Sequence, residues 1–513
     1  MTSFVNSSVA SPTRLFFFFA TAWSVVSLPT SGFTQSPGRQ RPNLVFLMAD
    51  DQCTYSMGCY DTPGADTPNL DRLAADGMIF DRHYVTTAIC MASRATVMTG
   101  KHEFKTGCNF EHGPLLRTDW QQSYPVLLRK AGYRTAFAGK FGFEVAEVSP
   151  DGTAAGKGDL PTDDFDVWGG GPGQTSYDTA KNPSMKKYAE EYPHSTRSYG
   201  AFGCDFIKSS AQGRQPFCLS ISFKAPHHPV TPDPLDDDVY AGAAFTKPAN
   251  FGRDYGTHFA PQSRQGRQYE RFHSWHYSDD YDGVMAKYYQ QIYAIDVAVG
   301  MIRDAIREAG VSDDTVIVYT SDNGFMCGSH GYGSKVLPYE ESSRVPLIVF
   351  DPRRWPERST TEPRPIRRCD ALTGNVDIAV TLLSLAGVQV PADVDGRDLS
   401  PLLDDPAGSG HGSLPLINVW GPEPVHSLAV VTDRWKFIRW PYQVGEFEAT
   451  EELYDLRADP LERTNLAVAP SHRRELSEMR SLYDQWVNTW STQGVRRHRY
   501  PQHASFFERP EGR

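Results

Sequence analysis

The sequence predicts an α/β fold: a large, mostly parallel mixed sheet flanked by helices on both faces. Continuous apolar runs, typical of strands buried on both faces, occur at residues 43–49 and 316–320. The second run follows an amphipathic segment, residues 284–308, whose period predicts a helix. Strands that alternate with helices in this way favour a sheet covered on both sides.

Further elements continue the alternation. Buried strands are predicted at residues 217–223 and 346–350, and helices at residues 68–75, 123–131 and 376–386. We assign all of these elements to one large α/β domain over residues 41–405. Within it, residues 232–282 are rich in Pro, Gly, Asp, Tyr and His and lack periodicity. A long irregular insertion of this kind more often shapes a substrate mouth than a core.

The character of the sequence changes near residue 410. Short strand-like segments at residues 428–432 and 435–440 precede a final predicted helix, residues 471–490. This pattern predicts a smaller C-terminal α+β subdomain over residues 412–500, with antiparallel strands and a terminal helix.

Residues 1–32 resemble a signal peptide. Arg14 precedes an apolar run, residues 15–28, and small residues follow at Thr30, Ser31 and Gly32. We therefore expect a secreted or periplasmic protein, with an uncleaved interfacial anchor as the alternative. No later stretch is apolar for long enough to span a bilayer, so no integral membrane segment is expected in the mature chain.

Composition limits the partners. The 513 residues are 40% hydrophobic and 22% charged, an ordinary globular composition, and the formal net charge is −11. This charge disfavours nucleic acid and anionic membranes as partners, so an anionic substrate requires a local cluster of Arg and Lys. The eight cysteines are scattered and form no framework, although an exported protein could carry one or two disulfides.

Two polar pairs each end one of the apolar strand candidates. Asp50 and Asp51 follow the first, and Asp322 and Asn323 follow the second. Because ligands bind beyond the carboxyl ends of strands in such sheets, the two pairs are expected to face one crevice. Three carboxylates and an amide oxygen suit Ca²⁺, with Mg²⁺ as the alternative, whereas zinc is disfavoured because the set lacks His and Cys. Each pair alone is more typical of a helix cap or a turn.

Cys90 lies where a loop enters a predicted helix, in the stretch TAICMASRATVMTG at residues 87–100. A nucleophile there would lie in a positive field, because the helix N-terminal amides and Arg94 can stabilise an oxyanion. A buried inert thiol beside a surface arginine is the alternative.

The residues from Cys90 to Arg94, followed by Thr99 and Gly100, resemble the signature of type I sulfatases. In that family, of the alkaline-phosphatase-like superfamily, a maturation enzyme oxidises the cysteine to formylglycine. The resemblance runs along nearly the whole mature chain, in the family's order. The other matching stretches are Asp50-Asp51-Gln52, Gly139-Lys140, Pro226-His227, Ser321-Asp322-Asn323-Gly324, Lys335 with residues 339–346, residues 376–387, Leu453-Tyr454-Asp455-Leu456, Asp459-Pro460 and Asn465-Leu466.

The resemblance implies a mechanism. In similar enzymes the hydrated aldehyde attacks sulfur in line with the departing alcohol, assisted by the metal, and sulfate leaves as the aldehyde is regenerated. By position, Cys90 supplies the formylglycine and contacts the metal, which is also bound by the four strand-end residues. Arg94 and Lys140 stabilise its oxyanion, while His227 and Lys335 bind sulfate oxygens and assist the leaving group as general acids.

Several positions leave alternatives open. Either lysine could be a solvated surface charge, and His227 could cap a turn. His228 ranks lower by motif position, and His330 is a further candidate for lining the pocket. The family usually has Pro where this chain has Ala92, and His where it has Gly142. These departures leave open which maturation enzyme accepts the motif and which group replaces that histidine.

The expected function is hydrolysis of a sulfate ester carried by a glycan. The stretch YERFHSWHYSDDY at residues 269–281 could stack on sugar rings or form a packed surface loop. A phosphonate or phosphate monoester hydrolase of the same superfamily is the enzymatic alternative. A non-catalytic carbohydrate-binding relative is the other, although retention of Cys90, Arg94 and the metal ligands argues against it.

Overall fold

The computed structural model describes residues 41–356 and 365–510, so the predicted signal peptide lies outside the described residues. The strands in this part of the chain are β1 (Asn43–Ala49), β2 (Met78–Phe80), β3 (His83–Tyr84), β4 (Leu115–Leu116), β5 (Arg134–Lys140), β6 (Val145–Ala146), β7 (Val167–Gly171), β8 (Phe217–Ser222), β9 (Thr315–Ser321), β10 (Leu347–Phe350), β11 (Arg367–Cys369), β12 (Thr373–Gly374), β13 (Leu414–Asn418), β14 (Ser427–Val431), β15 (Trp435–Trp440) and β16 (Thr450–Asp455).

The α-helices in the same described ranges are α1 (Pro68–Asp76), α2 (Cys90–Thr99), α3 (Glu103–Thr106), α4 (Arg117–Trp120), α5 (Tyr124–Lys130), α6 (Ser195–Ala211), α7 (Arg267–Ser274), α8 (Tyr281–Glu308), α9 (Glu340–Ser343), α10 (Asp377–Leu385), α11 (Ser400–Asp404), α12 (Arg473–Gln493) and α13 (Tyr500–Phe507). None of the helices in the described ranges combines the length and apolar composition that a membrane span needs.

The large sheet has eight strands in the order β11-β2-β10-β9-β1-β8-β5-β7. All neighbouring pairs are parallel except those of β10, which runs antiparallel to both β9 and β2. The predicted mostly parallel mixed sheet is therefore confirmed. In the centre, β1 and β9 are aligned so that Ala49 pairs with Ser321, and the segments that follow the two strands leave the sheet side by side.

Alternate residues of β1 enter two different cores. Phe46 and Met48 pack into one core, together with residues of α2, α5 and α10, whereas Val45 and Leu47 pack into the other. The second core contains residues of α1, α6 and α8. Helices thus cover both faces of the sheet, as the uninterrupted apolar runs predict.

The C-terminal part contains the expected smaller α+β subdomain. Strands β13 to β16 form an antiparallel sheet in sequential order, and α12 packs against its two middle strands. Tyr483 and Trp490 of α12 share a core with Phe437 of β15. The domain boundaries themselves, residues 41–405 and 412–500, stay predictions.

A buried ionic cluster connects this antiparallel sheet to the large domain. Lys436 of β15 is fully buried and lies 2.8 Å from a carboxylate oxygen of Glu340 and 2.8 Å from one of Glu462. The backbone N–H of Glu340 donates to Glu462 at 2.8 Å, and the hydroxyl of Tyr84 donates to Glu340 at 2.9 Å. A buried charge of this kind is stable only while its partners stay in place.

All eight cysteines are unpaired, and seven of them are buried. The disulfides that an exported protein could carry are therefore absent from this structure.

His102 gives the junction between the two parts a dependence on pH. Its ring lies 5.5 Å from Phe104 and 5.4 Å from Trp486 of α12, measured between centroids, and burial lowers its pKa to about 4. In the unfolded chain a histidine takes up a proton near pH 6.5, whereas His102 in the folded protein does so only near pH 4. The free energy of unfolding is therefore highest above pH 6.5 and decreases as the pH falls towards 4. We expect His102 to contribute a loss of about 2 kcal/mol between pH 7.5 and pH 5.

Urea unfolding at the two pH values measures this loss. His102→Phe should reduce the difference between the two unfolding free energies, whereas the exposed His273→Phe should not. Equal pH dependence in the wild type and His102→Phe would contradict the argument.

Candidate active site

The two polar pairs at the strand ends meet, as expected. The backbone N–H of Asp51 donates to Asp322 Oδ1 at 3.2 Å, and Asn323 Nδ2 donates to Asp51 Oδ1 at 2.7 Å. Asp50, Asp51, Asp322 and Asn323 are all essentially inaccessible to solvent. The alignment of Ala49 with Ser321 causes this meeting, because each pair directly follows one of these residues.

Asp51 leaves β1 in a left-handed conformation, with φ of 72°. This region is unfavourable for residues other than glycine and is found at sites where the surroundings fix the backbone. Here the hydroxyl of Tyr288 donates to the Asp51 carbonyl at 2.7 Å, and the N–H of Gln52 donates to Ser321 Oγ at 3.0 Å. The turn directs the Asp51 carboxylate towards the same crevice as its neighbour.

Cys90 is the first residue of α2, so its side chain lies at the helix N-terminus. Its Sγ is 3.4 Å from Asp50 Oδ1 and 2.7 Å from Lys335 Nζ. Burial, together with the charge of Asp50, raises the pKa of the Cys90 thiol to about 12. Since the thiolate is the reactive form of cysteine, the unmodified side chain is a poor nucleophile near neutral pH.

Arg94 lies one turn further along α2 and is completely buried. Its Nε is 2.7 Å from Asp322 Oδ2, its Nη2 is 3.4 Å from Asp50 Oδ2, and its Nη1 donates to the carbonyl of Lys140 at 2.6 Å. Arg94 therefore connects both acidic strand ends to the end of β5.

Two lysines complete the charge compensation. Lys140, the last residue of β5, places Nζ 2.5 Å from Asp50 Oδ2, and Lys335 donates a hydrogen bond to Asp51 Oδ1. Burial opposes ionisation of Asp50, but Lys140, His227 and Arg94 hold its pKa well below the ordinary value. Three buried carboxylates thus face three buried cationic side chains, and a bound divalent cation would make the site net positive.

His227 lies beside this cluster, with Nε2 3.9 Å from Asp51 Oδ2. Burial lowers its pKa to about 4, so the ring is neutral at pH 7 and suits hydrogen bonding to a sulfate oxygen. His228 stacks on Trp275, with 3.9 Å between centroids.

His330 does not line the pocket, so that expectation is wrong. The side chain is fully buried, with Nε2 2.8 Å from Asn250 Nδ2 and Nδ1 3.0 Å from the carbonyl of Tyr255. A left-handed turn at His330, with φ of 54°, accompanies this placement away from the crevice.

The residues fit a divalent cation. Asn323 Oδ1 is buried and has no hydrogen-bond partner, which suits a cation ligand better than a structural amide. One potential ligand atom from each of Asp50, Asp51, Cys90 and His227 lies within 4.8 Å of all the others. Cys90 and His227 thus lie beside the oxygen donors. The sequence-based expectation against zinc assumed that the set lacks His and Cys, and this assumption does not hold in the structure.

A cavity of about 450 Å³ opens above Cys90. Trp275 and α7, from the irregular insertion, form part of its wall, as that segment's composition predicts. The other aromatic side chains of residues 269–281 are buried or half-buried in cores: Tyr269, Phe272, Tyr277 and Tyr281. Trp420 and Phe110, two large side chains from other parts of the chain, complete the apolar wall.

One buried cation near the site was missed from the sequence. Lys224 follows β8 and donates from Nζ to the carbonyl of Gln174 at 3.0 Å. Burial lowers its pKa, while the charge of Asp50 acts in the opposite direction. The sequence does contain a signal for this residue, because Lys224 lies just beyond the carboxyl end of a predicted buried strand, where ligands bind in such sheets.

The side chain of Arg94 leaves no room for a side chain at Gly142, the position where the family commonly has histidine. The φ of Gly142 is +88°, and a Cβ at this position would lie 2.4 Å from Arg94 Cδ. Gly132 is a matched control, because its φ is +93° and a Cβ there would meet nothing within 4 Å.

We expect Gly132→Ala to lower the free energy of unfolding by about 1 kcal/mol, the cost of a left-handed alanine. Gly142→Ala should lower it by about 3 kcal/mol or more, because Arg94 must also leave its buried carboxylates. Urea unfolding of the two variants measures the difference. Equal losses would mean that Gly142 serves only backbone conformation.

Two family models and a characterised relative match this chain over much of its length. The family model Sulfatase matches residues 42–388, and the model described as N-sulphoglucosamine sulphohydrolase, C-terminal, matches residues 328–487. An N-acetylglucosamine-6-O-sulfatase of Bacteroides thetaiotaomicron is 28% identical, over 90% of this chain and 89% of its own length.

Two solved structures share the fold. One, described as a complex with its substrate D-glucosamine-2-N,6-O-disulfate, superposes with a TM-score of 0.68 at 24% identity, over 88% of this chain and 98% of its own. A phosphonate monoester hydrolase of Agrobacterium radiobacter superposes with a TM-score of 0.66 at 21% identity, over 89% and 96%. The Sulfatase model covers residues 42–388, which is more than half of the chain. This chain therefore belongs to the sulfatase family, whose members are enzymes that hydrolyse sulfate esters.

Proposed function

We propose that this sulfatase removes 6-O-sulfate groups from glucosamine-type sugars, with a formylglycine derived from Cys90 and a divalent cation, Ca²⁺. The main support for this proposal is the position of Cys90. Its Sγ lies 3.4 Å from Asp50 Oδ1 and 2.7 Å from Lys335 Nζ. A nucleophile at this position would contact both the cation ligands and a charged hydrogen-bond donor.

The sugar specificity is supported by two observations. The Bacteroides relative, 28% identical along most of both chains, is named an N-acetylglucosamine-6-O-sulfatase. Trp420 and Phe110 line the cavity above Cys90, and large aromatic side chains of this kind pack well against sugars. Asn323 after Asp322 favours sulfate over the phosphonate or phosphate monoester alternative, as does the presence of a single potential cation cluster among the described residues.

The side chains act mainly by position and charge. When bound, the cation supplies Lewis-acid activation, and formylglycine supplies an oxygen nucleophile that cysteine lacks. Arg94 and Lys140 hold Asp50 and stabilise negative charge at residue 90. Lys335, whose pKa is raised well above the usual value chiefly by Asp51 despite its burial, remains charged and binds a sulfate oxygen. The neutral ring of His227 donates a hydrogen bond to the sulfate group beside it, and the charged ammonium group of Lys335 is the proton donor for the oxygen of the departing alcohol.

The cation ligands are Asp50, Asp51, Asp322 and Asn323, with residue 90 adjacent. Oxygen donors dominate the set, which favours Ca²⁺ over softer ions even though His227 is close. We further propose that a formylglycine-generating enzyme accepts the motif with Ala92, and that the chain is exported through residues 1–32.

Conversion of Cys90 is directly testable. In protein made with a matching maturation enzyme, we expect the tryptic peptide of residues 83–94 to carry an aldehyde in place of the thiol, as read by mass spectrometry. Cys90→Ala should lower kcat for release of sulfate from N-acetylglucosamine 6-sulfate by about a thousand-fold or more.

Cys204→Ala, which changes a half-buried cysteine of α6 outside the cavity, is the matched control and should retain activity. A fully active preparation that contains only unmodified Cys90 would overturn the proposal. The corresponding phosphate ester should be hydrolysed far more slowly by the wild type.

The cation proposal has a readout independent of catalysis. Ca²⁺ should raise the thermal unfolding midpoint, because an ion that binds only the folded state stabilises it, by about 2.7 kcal/mol at a hundred times Kd. Asn323→Ala should weaken Ca²⁺ binding about ten-fold by calorimetry, whereas Asn418→Ala, in β13, should not change it. A larger shift with Zn²⁺ than with Ca²⁺ or Mg²⁺ would contradict the choice of ion.

A further inference from the structure

Arg271 of α7 lies in the cavity wall with its guanidinium held in place. Its Cζ is 4.1 Å from the ring centroid of Trp275, and its Nη1 donates to Ser334 Oγ at 2.7 Å. Ser334 directly precedes Lys335, which contacts Cys90. The guanidinium is therefore fixed close to the reaction centre, although it contacts none of the residues assigned to chemistry.

Arg267 lies one turn earlier on the same helix and also lines the cavity. Its Cζ is 4.7 Å from the ring centroid of Trp420, which follows β13. Residues four apart lie on the same face of a helix, so α7 presents two arginines to one side of the cavity. Each guanidinium makes a cation–π contact with a tryptophan of the cavity wall. Such a contact orients the guanidinium and leaves its positive charge uncompensated.

Neither arginine has an acidic partner in the part of the chain that the structure describes. Among the described residues, no carboxylate oxygen lies within 4.0 Å of a nitrogen of Arg267 or Arg271. This is unexpected in a chain with 62 acidic and 51 basic residues. Burial lowers the pKa of Arg271, yet a guanidinium remains charged in proteins. Two oriented cations with free donors face a cavity that the substrate must enter.

These arginines are separate from the cations of the cavity floor. Arg94, Lys140 and Lys335 are already engaged by Asp50, Asp51 and Asp322. The sulfate ester that is cleaved must lie at residue 90, next to Lys335. An anionic group bound by Arg267 and Arg271 would therefore be a different substituent of the same substrate.

We propose that Arg271 and Arg267 form a second anion subsite, which binds a sulfo or carboxylate substituent of the same glycan beside the sulfate ester that is cleaved. The inference rests on the proposed function and narrows its substrate class to glycans with at least two anionic groups. A guanidinium binds either group through paired hydrogen bonds, so both sources share one chemistry.

Three substrates separate the possibilities. N-acetylglucosamine 6-sulfate carries one anionic group, N-sulfoglucosamine 6-sulfate adds a sulfo group, and a glucuronic acid linked to N-acetylglucosamine 6-sulfate adds a carboxylate. We expect the wild type to show kcat/KM at least about ten-fold higher on one of the dianionic substrates than on the monosulfate, chiefly through KM. The substrate that shows this gain identifies the anionic group.

Arg271→Met and Arg267→Met preserve most of the side-chain volume and remove the charge. Each should lower the ratio of kcat/KM on the favoured dianionic substrate to that on the monosulfate, by about ten-fold for Arg271→Met. Arg271→Lys should restore part of the ratio, and Arg474→Met, on the exposed surface of α12, should leave it unchanged. Thermal unfolding of each variant checks that it is folded.

The failures of the two proposals are distinguishable. If the mature wild type releases sulfate from none of the three substrates, the proposed function is overturned. If it releases sulfate but both methionine variants keep the wild-type ratio, or lose activity equally on all substrates, the second subsite is overturned and the proposed function stands.

Discussion

The active site depends on burial of negative charge at the ends of two adjacent parallel strands. The register of β1 and β9 brings Asp50, Asp51 and Asp322 into one water-excluded crevice. Isolated buried carboxylates cost several kcal/mol each, so they are stable only with compensating charge. Arg94, Lys140 and Lys335 supply it from a helix, a third strand and a loop, and this requirement fixes how these elements meet.

The central part of this arrangement could be predicted from the sequence. Residues 43–49 and 316–320 read as buried strands because they are uninterrupted apolar runs, and the polar pairs mark their carboxyl ends. By contrast, β5 (RTAFAGK) and β7 (VWGGG) escaped prediction, because Ala and Gly give no strand signal. Gly139 of β5 is needed because a Cβ there would lie 2.0 Å from the Ser222 carbonyl oxygen. Lys140 was therefore found only through its motif, without its strand.

The cavity wall was less predictable than its floor. The insertion could be expected at the mouth, but the partners of its side chains come from segments far away in the sequence. Trp420 and Ser334 illustrate this, since their contacts with α7 are tertiary and leave no local pattern. His330 shows the converse error, because closeness to a metal motif along the chain did not bring its ring into the crevice. Floor and wall thus come largely from different elements of the fold.

The buried ionic cluster around Lys436 links the segment that carries Lys335 to the antiparallel sheet. Glu340, five residues after Lys335, is buried against a cation from β15 and a backbone contact with Glu462. Arg344, in the same segment, also lies 3.0 Å from a carboxylate oxygen of Glu340, so this carboxylate has one local cation and one that comes from the antiparallel sheet. Lys436 is the more deeply buried of the two cations. A chain cut before β15 would therefore lack the buried partner of the segment that follows Lys335, and this lysine, which contacts Cys90, would lose support from a remote part of the fold.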